Sequence, residues 1–157
     1  MPENNAASSN ATNADELELA TTRIFDAPRE LVFKAWTLPE HLSQWWGPNG
    51  FTNTFQEFDL RPGGTWKFIM HGPDGTDYRN KCVFVEIVES ERIVLQHVSG
   101  PKFQVTATFE DLAGKTKLTF RQRFETAVEF EQVKKYAIEG NEQNMDRLGA
   151  LLANISA

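Results

Sequence analysis

Between Phe51 and Phe124 no segment of the chain has the length or periodicity of a helix, because every apolar run alternates with polar residues and is soon cut by a cluster of turn formers. The cuts fall at Arg61-Pro62-Gly63-Gly64, Gly72-Pro73-Asp74-Gly75, Ser99-Gly100-Pro101 and Asp111-Leu112-Ala113-Gly114, combinations that favour turn backbone and interrupt regular structure. Six strands fit between them. Parallel neighbours need a crossover of roughly a dozen residues or more, so strands joined this tightly form an antiparallel meander of hairpins. Side chains along a strand point alternately to its two faces. Trp66, Phe68 and Met70 therefore share one face, as do Phe103, Val105, Ala107 and Phe109, and then Leu118, Phe120 and Phe124. A sheet with one apolar face throughout is expected to curve strongly.

The flanking segments read differently. The stretch LELATTRIF is β-branched and apolar, a seventh strand, and Asp26-Ala27-Pro28 has the form of a helix start. That helix runs to about Trp36. Thr37-Leu38-Pro39-Glu40 fits a capping box, in which hydroxyl and carboxylate each satisfy the other's backbone N–H; a second short helix, His41 to Trp46, is expected to end at Gly47-Pro48-Asn49-Gly50. From Thr126 to about Ile155 the period becomes helical, with Phe130, Val133, Ala137, Met145, Leu148 and Leu152 on a shared side. This closing helix is roughly 40 Å long, enough to cross the concave face of the sheet. Gly140 lies near its middle, where glycine costs about 1 kcal/mol relative to alanine. Either a bend or a close approach there points to a cavity beneath.

Composition narrows the possibilities further. A chain of 157 residues, 40% hydrophobic, is ample for one domain, which at this size hides about 70% of its unfolded surface. The first sixteen residues, MPENNAASSNATNADE, lack aromatics and are expected to form a disordered tail, leaving 17–157 as the folded domain. The lone Cys82 excludes an internal disulfide framework. No run approaches the roughly 20 apolar residues of a membrane span, and the N-terminal stretch has no cation before Arg23, so no membrane insertion and a cytoplasmic location are expected. A net charge of −6 argues against nucleic acid as a partner, because that affinity comes mainly from neutralising phosphates.

The string Arg23-Ile24-Phe25-Asp26-Ala27-Pro28-Arg29-Glu30-Leu31-Val32-Phe33-Lys34-Ala35-Trp36-Thr37, then Pro39-Glu40, Trp45-Trp46-Gly47-Pro48 and Asp59-Leu60-Arg61-Pro62-Gly63-Gly64, resembles the START-like (SRPBCC) superfamily. More closely, it is similar to the group homologous to the C-terminal domain of the activator of the heat-shock protein 90 ATPase. Met70-His71-Gly72-Pro73-Asp74-Gly75, Glu86-Ile87 before Glu91-Arg92, and Gly140 ahead of Asp146-Arg147-Leu148 extend the likeness over nearly everything after residue 16. The resemblance implies an α+β helix-grip fold: a curved antiparallel sheet wrapped around a long C-terminal helix, with two short helices after the first strand. It also implies a cavity for a hydrophobic small molecule such as a lipid or polyketide, with catalysis in only some branches. Two positions depart from the pattern. Asn141 stands where relatives often carry an aromatic, which makes a pocket roomier or more polar, and Leu38 stands where an acid is common before the proline.

In such a fold Trp45, Trp46, Phe51, Trp66, Phe68, Met70, Tyr78, Phe103 and Leu148 face the space under the last helix, either as the lining of a ligand site or as core filling. Glu57, His97, Gln122 and Asn144 fall in otherwise apolar rows, and Asn141 lies beside them on the helix; a buried polar group needs a partner. These residues are candidates for hydrogen-bonding a ligand. Glu57 and His97 also suit an acid/base pair of the kind a cyclase or hydrolase would use, provided the fold brings them together. No catalytic residue is assigned. The three histidines and Cys82 show no metal-ligand spacing, and neither metal nor cofactor is expected. Finally, Lys115, Lys117, Arg121 and Arg123 share the outward face of one strand. They form either a docking stripe for an acidic protein partner, in keeping with a co-chaperone-like interaction domain, or a solvated face neutralised by neighbours such as Glu110 and Glu125.

Overall fold

The computed structural model describes residues 8–13 and 17–155. In chain order these form β1 (Ser8–Asn13), β2 (Glu18–Phe25), α1 (Arg29–Thr37), α2 (Pro39–Trp45), β3 (Thr52–Phe58), β4 (Thr65–His71), β5 (Asp77–Val88), β6 (Arg92–His97), β7 (Phe103–Leu112), β8 (Lys115–Phe124) and α3 (Ala127–Ile155). All strands join one sheet in the order β1-β2-β8-β7-β6-β5-β4-β3, with every pair antiparallel. The sheet is curved and unclosed, and α3 lies along its concave side. This is the α+β helix-grip expected from the sequence.

Three local expectations are corrected. Ser8–Asn13, placed by composition in a disordered tail, is a strand paired with β2 from Ser8↔Arg23 to Asn13↔Glu18, so the sheet has eight strands and the short helices follow the second. Ladder hydrogen bonds to an open edge need backbone alone, which a count of apolar side chains does not register. Residues 1–7 and 14–16 of that expected tail lie outside the described residues. The capping box does not form either: Thr37 is the last residue of α1 and its hydroxyl donates to the Phe33 carbonyl at 2.9 Å. Helix α2 begins instead at Pro39, behind Leu38, which makes no side-chain cap bond; proline suits this position because the first turn needs no N–H from it. Third, a bulge in β3 between Phe55 and Glu57 shifts the register, so that Phe55 faces Phe68 and Phe58 faces Trp66 while Glu57 lies opposite Lys67. The extra residue reverses the alternation and leaves both Gln56 and Glu57 exposed.

The core fills most of the concavity. Trp36 packs edge-on against Trp45, Trp46, Phe109 and Phe120, with centroids 5.0 to 6.0 Å apart, the arrangement aromatic quadrupoles favour. From α3, Met145, Leu148, Leu151 and Leu152 join this cluster, whereas Phe130, Val133 and Ala137 form a second one with Leu19 and Phe124. Arg23, 9% exposed, reaches from β2 to α3 and pairs with Glu142 at 2.7 Å and Asp146 at 2.6 Å. Between the two clusters, under the middle of α3, the packing opens.

Candidate functional site

The gap under α3 is a cavity of about 240 Å³. Its floor comes from the sheet: Met70 of β4, Asn80 of β5, His97 of β6, Phe103 of β7, and Phe120 and Gln122 of β8. Its roof is the helix face Val133, Tyr136, Ala137, Gly140, Asn141 and Asn144, and one wall is Trp46-Gly47-Pro48. The space reaches Gly140 in the roof, where a Cβ would meet only Pro48 Cγ at 3.8 Å.

The wall is held by the roof. Arg147 donates to the carbonyls of Gln44, Gly47, Pro48 and Phe51 at 2.7 to 2.9 Å, and burial lowers its pKa from the ordinary value. These include carbonyls left without helical partners where α2 ends. Asn144 Oδ1 accepts from the Gly47 N–H at 2.7 Å, and Asn53 donates to the Ser43 and Trp46 carbonyls at 3.2 and 2.8 Å. Gly47 needs its backbone freedom: its φ is +104°, and a Cβ there would lie 2.6 Å from Met70 Cε.

The polar residues of the cavity are neutral carboxamides, one histidine and Tyr136. Asn141 Nδ2 donates to Gln122 Oε1 at 2.8 Å. His97, 6% exposed, lies with Nδ1 2.8 Å from the Pro101 carbonyl oxygen and Nε2 2.8 Å from Asn80 Oδ1, and it stacks on Phe103 at 4.5 Å. Burial pushes its pKa below the usual histidine value, against the opposing pull of backbone carbonyls. Among the described residues no aspartate, glutamate, lysine or arginine lines the cavity.

Of the residues singled out in the sequence, the fold gathers Trp46, Met70, His97, Phe103, Gln122, Asn141 and Asn144 around this space. Trp45, Trp66, Phe68 and Leu148 are instead core, each at most 1% exposed; Trp45 Nε1 donates to the Ala35 carbonyl at 2.9 Å. Phe51 and Tyr78 pair with one another at 6.0 Å outside the cavity, with Tyr78 47% exposed. The Glu57–His97 acid/base pair does not exist, because the bulge in β3 turns Glu57 to the outer face while His97 points inward with Asn80 and Pro101 as its partners. Asn80, Pro101, Phe120 and Tyr136 were missed. Asn80 was legible, since it alternates with Cys82 and Phe84 on the inward row of β5; Pro101 and Tyr136 arrive from a loop and a helix whose approach no local pattern specifies.

Outside the cavity, Thr54 Oγ1, His71 and Asp77 form a hydrogen-bonded chain of 2.8 and 2.7 Å on the exposed sheet face. The basic stripe is partly neutralised: Lys117 sits opposite Glu110, and Arg121 lies 3.7 Å from Glu18. Among the described residues no group of three or more metal-ligating side chains is placed to hold an ion, and no helix is long and apolar enough to cross a membrane.

A long helix gripped by a curved antiparallel sheet, with a cavity between them, defines a START-like domain. Residues 26–153 match the family model described as activator of Hsp90 ATPase homolog 1-like protein, and the chain belongs to that family. Solved structures share the whole architecture. A protein of Arthrobacter aurescens superposes with a TM-score of 0.88 at 24% identity over 93% of this chain and 91% of its own. One of Mycobacterium smegmatis gives 0.82 at 26% identity, over 92% and 95%, and one of Nitrosomonas europaea gives 0.82 at 23%, over 90% and 97%. No curated protein matches the chain.

Proposed function

We propose that the protein binds a small hydrophobic molecule in the cavity between α3 and the sheet. The observation that carries this reading is the space itself: about 240 Å³ walled by Trp46, Phe103, Phe120, Val133 and Ala137, with a few carboxamides converging on it, in a fold commonly used as a ligand-binding domain. Concave, mostly apolar sites with a few fixed polar groups are the usual form of small-molecule pockets. The volume sets the size of the guest. It exceeds the roughly 150 Å³ apolar cavity that accommodates benzene and falls short of the roughly 300 Å³ at which drug-sized sites begin, so one- and two-ring molecules suit it. A reducing, cytoplasmic setting accords with the single unpaired Cys82.

The test is a panel of neutral one- and two-ring phenols and ketones titrated against the protein, with the methyl resonances of Met70 and Val133 followed by NMR. Saturable shifts confined to the lining, and their loss in Ala137→Phe with the fold retained by circular dichroism, are expected. Shifts that persist in the blocked variant, or no saturable shift with any member of the panel or with a one- or two-ring carboxylic acid, overturn the reading.

A further inference from the structure

The polar end of the cavity is frustrated in a way that one class of ligand relieves. Asn80 Nδ2 donates to the Tyr78 carbonyl at 3.0 Å, and a carbonyl only accepts, so the amide orientation is fixed and Oδ1 must face His97. The imidazole therefore sits between two acceptors, the Pro101 carbonyl on Nδ1 and Asn80 Oδ1 on Nε2, each at 2.8 Å. A neutral imidazole has one N–H and would set a lone pair against one of these oxygens; only the imidazolium satisfies both. The ring is also nearly parallel to Phe103, 7° between planes, and an aromatic face attracts a cation.

Yet among the described residues lining the cavity none supplies the counter-charge. Towards His97, β5 presents Asn80 and the cross-strand partner of His97, Cys82, whose thiol is pushed up to about 12 by burial and is therefore neutral. Strand β7 presents Phe103, the loop presents Pro101, and α3 contributes Tyr136 as the one titratable group lining the cavity from its side. None of these is a carboxylate. Without an anion, burial keeps His97 below its ordinary pKa, and at neutral pH one nitrogen faces an oxygen with no proton between.

A second group asks for the same guest. Asn144 is 6% exposed, and its Oδ1 is fixed by the Gly47 N–H, so its Nδ2 turns away from that bond and makes no hydrogen bond among the described residues. It is a donor on the cavity lining, open to the cavity, that no acceptor oxygen of the described residues engages.

We propose that the cavity selects an apolar weak acid, bound as its anion, whose oxygen accepts from Asn144 while His97 takes up a proton from solvent and becomes the balancing cation. The proposal rests on the reading of the cavity as a hydrophobic-ligand pocket and adds to it the charge and the proton. In balance, a carboxylate and one solvent proton enter together; no covalent bond forms. The neutral amide of the same acid offers an oxygen but no charge, and so is the discriminating control.

The experiment compares 2-naphthoate with 2-naphthamide by calorimetry between pH 6 and 8, in buffers of different ionisation heat, with the ¹⁵N shifts of the His97 ring recorded in parallel. Expected are naphthoate affinity at least about tenfold above the amide at pH 6, uptake of up to one proton per ligand, and affinity falling up to tenfold per pH unit as pH rises. The His97 ring nitrogens should move to imidazolium shifts on binding, and His97→Gln should lose the proton uptake and the preference. If that variant fails to fold, the wild-type ring shifts decide the matter. Amide and naphthoate binding equally without proton uptake, or the neutral panel binding while naphthoate does not, overturns the acid proposal and leaves the pocket reading standing. No shift of Met70 or Val133 with any compound overturns both.

Discussion

Replacing Gly140 by alanine should stabilise the protein. In a helix interior glycine is about 1 kcal/mol worse than alanine because its backbone loses more freedom on folding. That gain is cancelled only where the new methyl collides, and at 140 it would meet Pro48 Cγ at 3.8 Å and nothing else within 4 Å, an ordinary van der Waals distance. The expected gain is therefore close to the full ~1 kcal/mol, or a rise in Tm of about 2–4 °C for a domain of this size. Urea unfolding followed by circular dichroism should show a higher midpoint with an unchanged slope, the signature of a stability change alone. Gly140→Leu extends the same position into the cavity. It should keep the fold and abolish the binding of ring compounds. A destabilised Gly140→Ala would refute the reasoning, since it would mean that α3 lies closer to Pro48 than described or needs a backbone that alanine resists.

Three further outcomes are expected. Arg147→Ala should cost about 3 kcal/mol, from several carbonyls at roughly 1–3 kcal/mol each when left unpaired, discounted because water reaches some of them; Arg147→Lys should restore less than half, because one ammonium cannot serve a fan of acceptors. Thermal unfolding measures both, and a loss below about 1 kcal/mol for alanine contradicts the clasp. Cys82, pushed up to about 12 by burial, should not react with Ellman's reagent in the native protein at pH 8 and should react once unfolded; fast native labelling contradicts its burial. Finally, His97 is held below its ordinary pKa, so below about pH 6.5 the unfolded chain binds the proton more readily than the native one. Stability should fall as pH drops through that value and level off below the native pKa, and His97→Gln should flatten the change in urea titrations. Wild-type stability that rises on acidification relative to the variant reverses the sign and refutes the argument.

What the sequence made legible followed strict periods. The inward row Ile93, Leu95, His97 and the helical row through Phe130, Val133, Ala137 and Met145 are buried as their spacing requires, and polar intruders in such rows, His97, Gln122 and Asn144, lie on the cavity. Glu57 failed because one bulged residue inverts every side chain beyond it, and nothing in TFQEF marks where the extra residue sits. Trp66 and Phe68 stack at 4.3 Å in the core rather than on the cavity; alternation gives the face of a strand but not the depth at which a ring lies. The role of Arg147, as opposed to its place in the family pattern, was not legible because its partners are about a hundred positions away, and a cation on a helix looks solvent-bound until the fold delivers carbonyls to it. Strand β1 was hidden for a related reason: its pairing uses backbone offered by a neighbour, which composition does not register.

The clasp between α3 and the Gly47–Phe51 segment also decides how the interior communicates with the outside. Gln143, Asn144 and Arg147 hold that segment by its backbone N–H and carbonyl groups, and parting them would strand several at once. On the opposite flank the Pro101 segment meets α3 through an exposed bond from the Lys102 N–H to Glu129 at 2.9 Å, and Tyr136, 65% exposed, stands over the gap. Among the described residues fewer hydrogen bonds join α3 to that flank than to Gly47–Phe51, although Phe103 packs there against the cluster of Phe130, Val133 and Ala137. A guest entering past Tyr136 therefore disturbs the smaller set of polar contacts.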